Sequence, residues 1–313
     1  MIDSPILLTG GMGYIGSHVY VALKESGFEP VILDNLSNSY ERTLKNIKRI
    51  TGEEPYFINA DLRDKNTLAS ILEKFEIKNV IHLAAKKSVF ESTKNPISYL
   101  SNNIRGLNTL LNQLRKRDRE TNFIFSSSAC VYASSNPLPF KEDGTISATN
   151  PYGLSKIYGE KLIQNQKRDN FKFVILRYFN PAGAHLSGYI GQDEKHHFSN
   201  LFSVINEVAT ESRQHVPIYG NDYDTPDGTC VRDFFHVMDL ADGHVSALKK
   251  INDTKLNFVI NLGSGNGYSV MQIINTFKDK INIPISYKNY PRRSGDIAKM
   301  ISSTDLAKIQ IDW

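Results

Sequence analysis

Six short apolar runs, separated by helix-like stretches, organise the first 180 residues of this 313-residue chain. Their β-branched and aromatic residues are not interrupted by polar ones, which is typical of strands buried on both faces of a parallel sheet. The runs are Ile6–Leu8, Val31–Leu33, Tyr56–Ile58, Val80–Leu83, Phe123–Phe125 and Phe173–Leu176. Between the first two runs, Ile15, Val19 and Leu23 share one face of a helix. The alternation predicts right-handed βαβ crossovers and an α/β fold with a doubly wound (Rossmann) parallel sheet.

Charge and hydropathy exclude several classes of partner. Lys plus Arg number 37 and Asp plus Glu 33, an excess too small and too evenly spread to predict nucleic-acid binding. No apolar stretch approaches the roughly 20 residues of a membrane span, and Met1–Pro5 lacks the basic start of an export signal. We therefore expect a soluble, cytoplasmic protein without a membrane partner.

Metal binding is not expected either. Cys130 and Cys230 lie far apart in sequence and form no metal site by themselves. The run Asp193-Glu194-Lys195-His196-His197 could suggest metal ligands, but no further ligands stand at helical spacing around it. We expect this run to be a solvated loop and the protein to hold no metal.

A glycine-rich loop leads from the first predicted strand into the first predicted helix. Gly10, Gly13 and Gly16 give the pattern GxxGxxG in this position. The first glycine allows a tight turn, the second lets a pyrophosphate approach the backbone, and the third lets the helix pack closely on the sheet. Since the helix N-terminus then faces the phosphates, the loop predicts dinucleotide binding.

Two aspartates follow the next strands. Asp34 ends the second run, where a carboxylate accepts hydrogen bonds from ribose hydroxyls and repels a 2′-phosphate, so NAD is favoured over NADP. The alternative is an ordinary surface aspartate. Asp61 follows the third run and is either an adenine contact or the N-cap of a helix over Lys65–Phe75.

The sequence changes character after about Asn180. Residues 181–230 are rich in Gly, Pro, Asp, Asn and His, with one helix-like stretch at Leu201–Ala209. Val259–Leu262 then predicts one more strand of the sheet. We expect a nucleotide-binding domain over residues 1–180, with a return segment at about 235–263, and a substrate domain formed mainly by residues 181–313.

A tyrosine and a lysine stand four positions apart in Pro151-Tyr152-Gly153-Leu154-Ser155-Lys156. On a helix these two side chains share a face, so the ammonium of Lys156 can lie beside the phenol of Tyr152. A neighbouring cation, together with the positive nicotinamide of oxidised NAD, lowers a phenol pKa from its usual value near 10. Tyr152 could then act as a base toward an alcohol. Ser128, at the carboxyl end of the fifth strand, could hydrogen-bond the reacting oxygen.

Together these motifs resemble the extended short-chain dehydrogenase/reductase family, and in detail its UDP-glucose 4-epimerases. The resemblance extends from Ile6 to about Trp313. It is carried by the stretches TGGMGYIGSH, ILDNLSNS, VIHLAAKKSVFES, FIFSSSACVY, NPYGLSK, LRYFNPAGAHLSG, GNDYDTPDGTCVRDFFHVMDLADGHV, INLGSG and YPRRSGD.

The resemblance implies a role for individual positions. Ser128, Tyr152 and Lys156 match catalytic positions, with Tyr152 as the base and Lys156 also holding the nicotinamide ribose. The NAD-binding positions are Gly10, Gly13, Tyr14, Ile15, Gly16, Asp34, Asn35, Asn38, Ser39, Asp61, Leu62, Ala84, Lys87, Asn103, Ser128, Tyr152, Lys156 and Tyr178. The nucleotide-sugar positions are Ser128, Tyr152, Asn180, Asn200, Arg232, Arg293, Asp296 and Met300.

The implied reaction is NAD-dependent epimerisation at C4 of a UDP-hexose through a transient 4-keto sugar. It would serve galactose metabolism or the supply of surface polysaccharide precursors. The resemblance also implies a homodimer, formed through helices at about Ile97–Arg117 and Pro151–Arg168.

Two other functions remain open. A nucleotide-sugar 4,6-dehydratase would carry an Asp-Glu pair after the strand-end serine, where this chain has Ala129 and Cys130. An NAD-binding sensor protein without catalysis would not need the Ser128, Tyr152 and Lys156 set.

Three positions depart from the family pattern. Cys130 stands where threonine is common, near the expected sugar. Met300 stands where a bulky tyrosine accompanies strict glucose specificity, and because methionine is thinner and flexible, conversion of UDP-GlcNAc and UDP-GalNAc is also expected. Trp313 ends the chain before the usual last helical segment.

Overall fold

Seven parallel strands form the central sheet of the protein. The computed structural model describes residues 5–313 except 194, 196–199, 255 and 294. With strands numbered in chain order, the sheet consists of β1 (Ile6–Thr9), β2 (Pro30–Asp34), β3 (Tyr56–Asn59), β4 (Asn79–His82), β5 (Thr121–Ser128), β6 (Phe171–Tyr178) and β11 (Phe258–Leu262).

The strand order of this sheet is β11-β6-β5-β4-β1-β2-β3. From β1 the chain moves outward through β2 to β3 and then returns to β4 on the other side of β1. The order therefore reverses between β1 and β4. In open parallel sheets ligands bind outside the carboxyl ends of the strands at such a reversal.

Helices cover both faces of the sheet, and others belong to the second half of the chain. A π-helical stretch, Ser101–Arg105, joins two of them, and Ala129–Val131 forms a 3₁₀ turn directly after β5. The helices are α1 (Tyr14–Glu25), α2 (Arg42–Thr51), α3 (Lys65–Lys74), α4 (Val89–Lys94), α5 (Pro96–Leu100), α6 (Gly106–Lys116), α7 (Pro151–Gln164), α8 (Leu201–Ala209), α9 (Val237–Thr254), α10 (Val270–Ile281) and α11 (Asp305–Ile311).

Alternate residues of the strands enter two separate apolar cores. Leu8 and Ile32 pack with residues of α1, α9 and α11 on one face. Leu7 and Phe123 pack with residues of α3, α6 and α7 on the other. This two-sided burial explains why the strands read as unbroken apolar runs rather than as alternating ones.

The second half of the chain adds three small sheets. One pairs β7 (Asn180–Ala182) with β10 (Phe234–His236), and another pairs β8 (Val216–Tyr219) with β13 (Tyr287–Tyr290). The third has β9 (Val231–Arg232) between β12 (Tyr268–Ser269) and β14 (Lys299–Met300). A third apolar cluster, from α8, β8 and α10, supports these elements.

The α/β class and the parallel sheet predicted from the sequence are confirmed. One expectation is wrong: β3 is not buried on both faces, because it is the edge strand and Tyr56 is 48% exposed. Among the described residues, no helix has both the length and the apolar character needed to cross a bilayer.

Candidate active site

The glycine-rich loop lies between β1 and α1, beside the reversal of strand order. Gly10 has a φ of +75°, and a Cβ there would lie 2.7 Å from the backbone nitrogen of Ala84. At Gly16 a Cβ would lie 2.2 Å from the carbonyl oxygen of Gly10. Both positions therefore require glycine for the fold itself.

Gly13 differs from these two glycines. The nearest protein atom to a Cβ at this position is the Gly10 carbonyl oxygen, 3.4 Å away, so packing leaves room for a side chain. Gly13 is also the N-cap of α1, and no side chain caps the helix there. The free space and the uncapped helix N-terminus fit the pyrophosphate of a dinucleotide.

The carboxylate of Asp34 organises the loop after β2. It accepts hydrogen bonds from Met12 N at 3.1 Å, Leu36 N at 2.8 Å and Ser39 Oγ at 3.2 Å. Burial raises its pKa from the ordinary value, and these three donors oppose that rise. Asp34 thus links the glycine loop to the β2–α2 loop, where Asn38 is exposed.

Asp61 does not cap the following helix, so that alternative is wrong. The N-cap of α3 is Asp64, which accepts from Asn66 N and Thr67 N. Asp61 instead forms a two-point ion pair with Arg63, at 2.8 and 2.7 Å, and accepts from Asn35 Nδ2 at 2.9 Å. The Arg63 guanidinium holds the pKa of Asp61 well below its usual range.

The remaining residues of the predicted cofactor set surround the same loop. The Tyr14 hydroxyl donates to Gly183 O at 2.8 Å, and Lys87 Nζ lies 5.8 Å from the Tyr14 ring centroid. Leu62 is buried, and Ile15 is partly buried against the apolar core that contains residues of α1, α9 and α11. Asn103 is buried and bonds Lys86 N at 2.8 Å, Lys86 O at 3.0 Å and Ser155 Oγ at 3.0 Å.

Helix α7 begins at the carboxyl end of β5. Its N-cap, Asn150, accepts from Gly153 N at 2.8 Å, and Pro151 occupies the first helical position. A Cβ at Gly153 would lie 2.7 Å from Cys130 O, so glycine lets the helix approach the 3₁₀ turn after β5. This contact places the first turn of α7 against the strand end.

Tyr152 and Ser128 meet at this contact. Ser128 Oγ accepts from Cys130 N at 3.2 Å, and the Ser128 hydroxyl lowers the pKa of the neighbouring Tyr152 phenol. Because Ser128 Oγ accepts from an amide, its own proton is available to the Tyr152 oxygen. Burial raises the pKa of the Cys130 thiol, and the Ser128 hydroxyl opposes that rise.

Lys156 lies one turn further along α7 and is 4% exposed. Its Nζ donates to Ser126 O at 2.6 Å and to Ser126 Oγ at 3.3 Å, and lies 5.9 Å from the Tyr152 ring centroid. Burial lowers the pKa of Lys156 to about 7, and the carboxylate of Glu160 opposes that fall. The ammonium is therefore hydrogen-bonded to Ser126 of β5 rather than to the phenol.

The protein groups around the Tyr152 phenol do not lower its pKa by themselves. Burial raises it, the Cys130 thiol adds to the rise, and only the Ser128 hydroxyl lowers it. The physical reason is that the nearest cation, Lys156, bonds Ser126 instead. A phenolate here needs further positive charge, which the nicotinamide of oxidised NAD supplies when bound.

The predicted nucleotide-sugar residues gather around one acidic residue. Asp296 accepts from Arg293 Nε at 2.8 Å, and Arg232 Nη2 lies 3.7 Å from its other oxygen. Arg232 also donates to the carbonyls of Val231 and Ile297, each at 2.9 Å. Both guanidinium groups therefore face the Asp296 carboxylate.

Three more of these positions lie on neighbouring elements. Asn180, on β7, has a buried Oδ1 with no hydrogen-bond partner among the described residues. Asn200 precedes α8 and donates to Gln192 Oε1 at 2.9 Å. Met300, on β14, is in register with Arg232. It is partly buried against the apolar core that contains residues of α1, α9 and α11.

Buried polar groups that the sequence analysis missed support the site. Ser126 holds Lys156, and Tyr178, already predicted to pack against the nicotinamide, hydrogen-bonds His244 at 2.5 Å. Glu160 and Arg177, each 2% exposed, form a two-point ion pair at 3.0 and 2.8 Å. The Ser-Ser-Ser run marked this strand end, but nothing local in the sequence marked His244.

The metal prediction lies partly outside the described residues. Glu194, His196 and His197 are not described, and Asp193 forms an ion pair with Arg42 at 2.7 Å. In the described part of the chain, no three His, Cys, Asp or Glu side chains are grouped as a metal site.

Gly13→Ala and Gly16→Ala test the cofactor loop as a matched pair. The Gly13 variant should retain at least about tenfold less NAD, because its methyl enters only the pyrophosphate space, and in NAD-free form it should match the thermal stability of NAD-free wild type. The Gly16 variant should unfold at lower temperature, because its methyl meets backbone. Extracted NAD content and thermal unfolding measure the two effects, and equal NAD content in wild type and Gly13→Ala would contradict this interpretation.

Comparison with known proteins agrees with this geometry. The sequence model of the NAD dependent epimerase/dehydratase family matches residues 6–263. A UDP-glucose 4-epimerase of Dictyostelium discoideum is 44% identical, over 100% of this chain and 91% of the relative, and that of Haemophilus influenzae is 45% identical, over 98% and 92%. The UDP-glucose 4-epimerase of Bifidobacterium longum, solved with NAD+ and UDP, superposes with a TM-score of 0.95 at 39% identity, covering 99% of this chain and 93% of that one. The chain belongs to the NAD dependent epimerase/dehydratase family, among its UDP-glucose 4-epimerases.

Proposed function

We propose that this protein inverts the configuration at C4 of a UDP-hexose, using NAD that it keeps bound through each cycle. The observation that carries the proposal is the position of Tyr152 in the first turn of α7, beside Ser128 at the end of β5, with the buried Lys156 ammonium one turn further along the helix. The Ser128 and Tyr152 hydroxyls and the Lys156 ammonium lie at the carboxyl-terminal end of the parallel strands, as does the glycine loop after β1. A relative with this fold is known in complex with NAD+ and UDP.

Each catalytic side chain has a distinct task. The Tyr152 phenolate takes the proton of the C4 hydroxyl and later returns it. The Ser128 hydroxyl donates to the C4 oxygen, where negative charge develops. The Lys156 ammonium stabilises the phenolate. Bound NAD supplies the acceptor for the C4 hydride and the source from which it returns to the opposite face of the 4-keto sugar.

The arginines of the second half provide the anchor for the diphosphate. Guanidinium groups bind phosphate oxygens at two points, and Arg232 and Arg293 already face one acidic group, Asp296. We propose that the diphosphate binds these two arginines and that Asp296 turns to the ribose hydroxyls. Asn180 would satisfy its unpartnered Oδ1 by accepting from a sugar hydroxyl, and Asn200 would complete the subsite.

Met300 determines which hexose fits in this proposal. Its flexible side chain lies on β14 in register with Arg232, at the edge of the nucleotide-sugar residues. A thinner side chain than tyrosine leaves room at C2 of the sugar. We therefore infer that the protein converts UDP-glucose and UDP-galactose, and also their N-acetylated counterparts.

The two alternative functions are less well supported. A dehydratase needs an acid and a base next to the strand-end serine, but Ala129 is buried and Cys130 has a raised pKa. A non-catalytic NAD sensor would have no use for a phenol beside Ser128 and a buried ammonium one turn further along the helix.

We also propose a homodimer. Phe90, Ile97 and Leu154 are 60%, 81% and 38% exposed on α4, α5 and α7, three helices that pack on one another. Exposed apolar residues on adjoining helices mark interaction surfaces. Light scattering should give twice the mass of the chain, and a monomer would overturn the proposal.

Location and domain organisation are proposed on narrower grounds. Both Cys130 and Cys230 are free thiols, which suits a reducing, cytoplasmic environment. We keep the functional division near residue 180, with a return at about 235–263, because the return segment contains β11 of the central sheet. Three of the nucleotide-sugar residues, Asn180, Arg232 and Met300, lie on the small sheets.

Turnover by the purified protein tests the proposal. UDP-galactose and UDP-GalNAc, incubated separately, should each yield their C4 epimers. Tyr152→Phe should keep its bound NAD and lower turnover roughly 10²–10⁴-fold, because only the proton-transferring oxygen is lost. Tyr158→Phe, on the exposed face of the same helix, is the control and should behave like wild type. Wild-type turnover by Tyr152→Phe would overturn the mechanism, and no epimer from either sugar would overturn the function.

A further inference from the structure

A continuous set of buried polar groups connects Lys156 to helix α9. Lys156 Nζ lies 3.3 Å from Ser126 Oγ. Ser126 and Tyr178 lie on neighbouring strands, with Tyr178 in register two residues beyond Ser126, and the Ser126 hydroxyl opposes the rise of the Tyr178 pKa, as a donor to the phenol oxygen does. The Tyr178 oxygen lies 2.5 Å from His244 Nε2, and His244 Nδ1 lies 2.8 Å from Leu240 O. The three side chains beyond Lys156 are buried, with exposed fractions of 7% for Ser126, 6% for Tyr178 and 0% for His244.

The two ends of this chain fix the direction of every hydrogen bond in it. The Leu240 carbonyl can only accept, so His244 Nδ1 must carry a proton. Burial lowers the pKa of His244 to about 4, so near neutral pH the ring is uncharged and Nε2 carries no proton. Tyr178 must then donate to His244 Nε2.

The same reasoning continues toward Lys156. Because the Tyr178 proton is committed to His244, the Tyr178 oxygen can only accept from Ser126. Ser126 Oγ, having donated its proton to Tyr178, is free to accept from the ammonium, which can only donate. The bonds run from Lys156 to Ser126, then to Tyr178, then to His244, and finally to Leu240 O.

We propose that His244 is a positioning residue: by accepting the Tyr178 proton it orients this chain so that Ser126 Oγ serves the Lys156 ammonium as an acceptor. Without an acceptor at position 244, the Tyr178 proton would turn to Ser126 Oγ and compete with Lys156 there. The ammonium would lose a stabilising partner in a buried site. The catalytic consequence rests on the proposed function, in which Lys156 must stay charged next to Tyr152.

Other titratable groups also face the ammonium and remain in place in the test variants. His82 is buried on β4, bonds Thr9 Oγ1 at 2.8 Å and feels the Lys156 charge. Glu160 favours the charged lysine from one turn further along α7. The full set comprises Tyr152 and Glu160 on α7, His82 on β4, Tyr178 on β6 and His244 on α9.

His18 offers a matched control. It is fully buried on α1, its Nδ1 lies 2.6 Å from the carbonyl oxygen four residues earlier, and burial lowers its pKa to about 4. These features reproduce those of His244, but its Nε2 has no hydrogen-bond partner in the described part of the chain. Replacing it removes a buried imidazole without touching the Lys156 chain.

The direction of the chain is tested without turnover, by ¹⁵N NMR of histidine-labelled protein. His244 should show a protonated Nδ1 and an unprotonated, hydrogen-bonded Nε2, with its signals assigned by their loss in His244→Leu. Tyr178→Phe should move the His244 Nε2 resonance and leave that of His18 in place. A proton on His244 Nε2, or a His244 Nε2 resonance that does not move in Tyr178→Phe, would overturn the proposal.

The catalytic consequence is tested by the pH profile of kcat for His244→Leu, His244→Gln, Tyr178→Phe, the His244→Leu/Tyr178→Phe double variant and His18→Leu. Loss of the acceptor at position 244 disfavours the ammonium, so the alkaline limb should move to lower pH by about half to one unit in His244→Leu. In Tyr178→Phe the competing proton is itself absent, so the alkaline limb should stay near that of wild type. The double variant should match Tyr178→Phe, since without the phenol there is no proton for the change at position 244 to redirect. In His244→Gln the alkaline limb should return part of the way to its wild-type pH, because the glutamine amide oxygen can accept from Tyr178. The pH profile of His18→Leu should match that of wild type.

The possible failures are distinguishable. A His244→Leu profile equal to that of wild type, or the same shift in His18→Leu, would overturn the positioning role. Absence of turnover in the wild-type protein would overturn the proposed function alone, because the NMR result still decides the direction of the chain.

Discussion

The rest of the site depends on one buried positive charge, the ammonium of Lys156. A charge taken out of water is costly unless hydrogen bonds replace its hydration. Here the Ser126 carbonyl and hydroxyl replace part of that hydration, and the Glu160 carboxylate lies behind. Even so, burial lowers the lysine pKa to about 7, so the charged and neutral forms are close in free energy near neutral pH. Small changes in its hydrogen-bond partners should therefore have large effects on the neighbouring phenol.

The sheet places this charge next to the cofactor loop. Because β1, β4 and β5 are parallel, the glycine loop after β1 and the end of β5 lie at the same, carboxyl-terminal end of the sheet. Helix α7 is held there by glycine at position 153, and β6 carries Tyr178 alongside Ser128 in parallel register. The second half of the chain then supplies Arg232 and Arg293 from outside the sheet. In the proposed function, these two arginines anchor the nucleotide sugar by its diphosphate.

Much of the fold could be predicted from the sequence because it depends on local patterns. Unbroken apolar runs indicated the parallel strands, and glycine spacing indicated a loop whose backbone has no room for Cβ atoms at Gly10 and Gly16. The cap of α3 was missed because Asp61 and Asp64 are equally good local candidates, and a two-point bond to Arg63 occupies the first.

The support of the site could not be predicted, because it joins residues far apart in sequence. His244 reaches Tyr178 from α9 across 66 positions, and the direction of that bond depends on a carbonyl on α9 itself. The contribution of Lys156 to the pKa of Tyr152 could not be predicted for a related reason. Sequence spacing places Lys156 on the right face of α7, but only the packed structure shows that its ammonium bonds Ser126.

The most direct test of the central claim follows the hydrogen at C4 during turnover. The protein is incubated with UDP-galactose that carries deuterium at C4, and the product is examined by NMR. If Tyr152 moves only the hydroxyl proton while the C4 hydride leaves and returns within the closed site, UDP-glucose should retain the deuterium at C4. Loss of the label to water, or entry of solvent hydrogen at C4 or C5, would contradict the account.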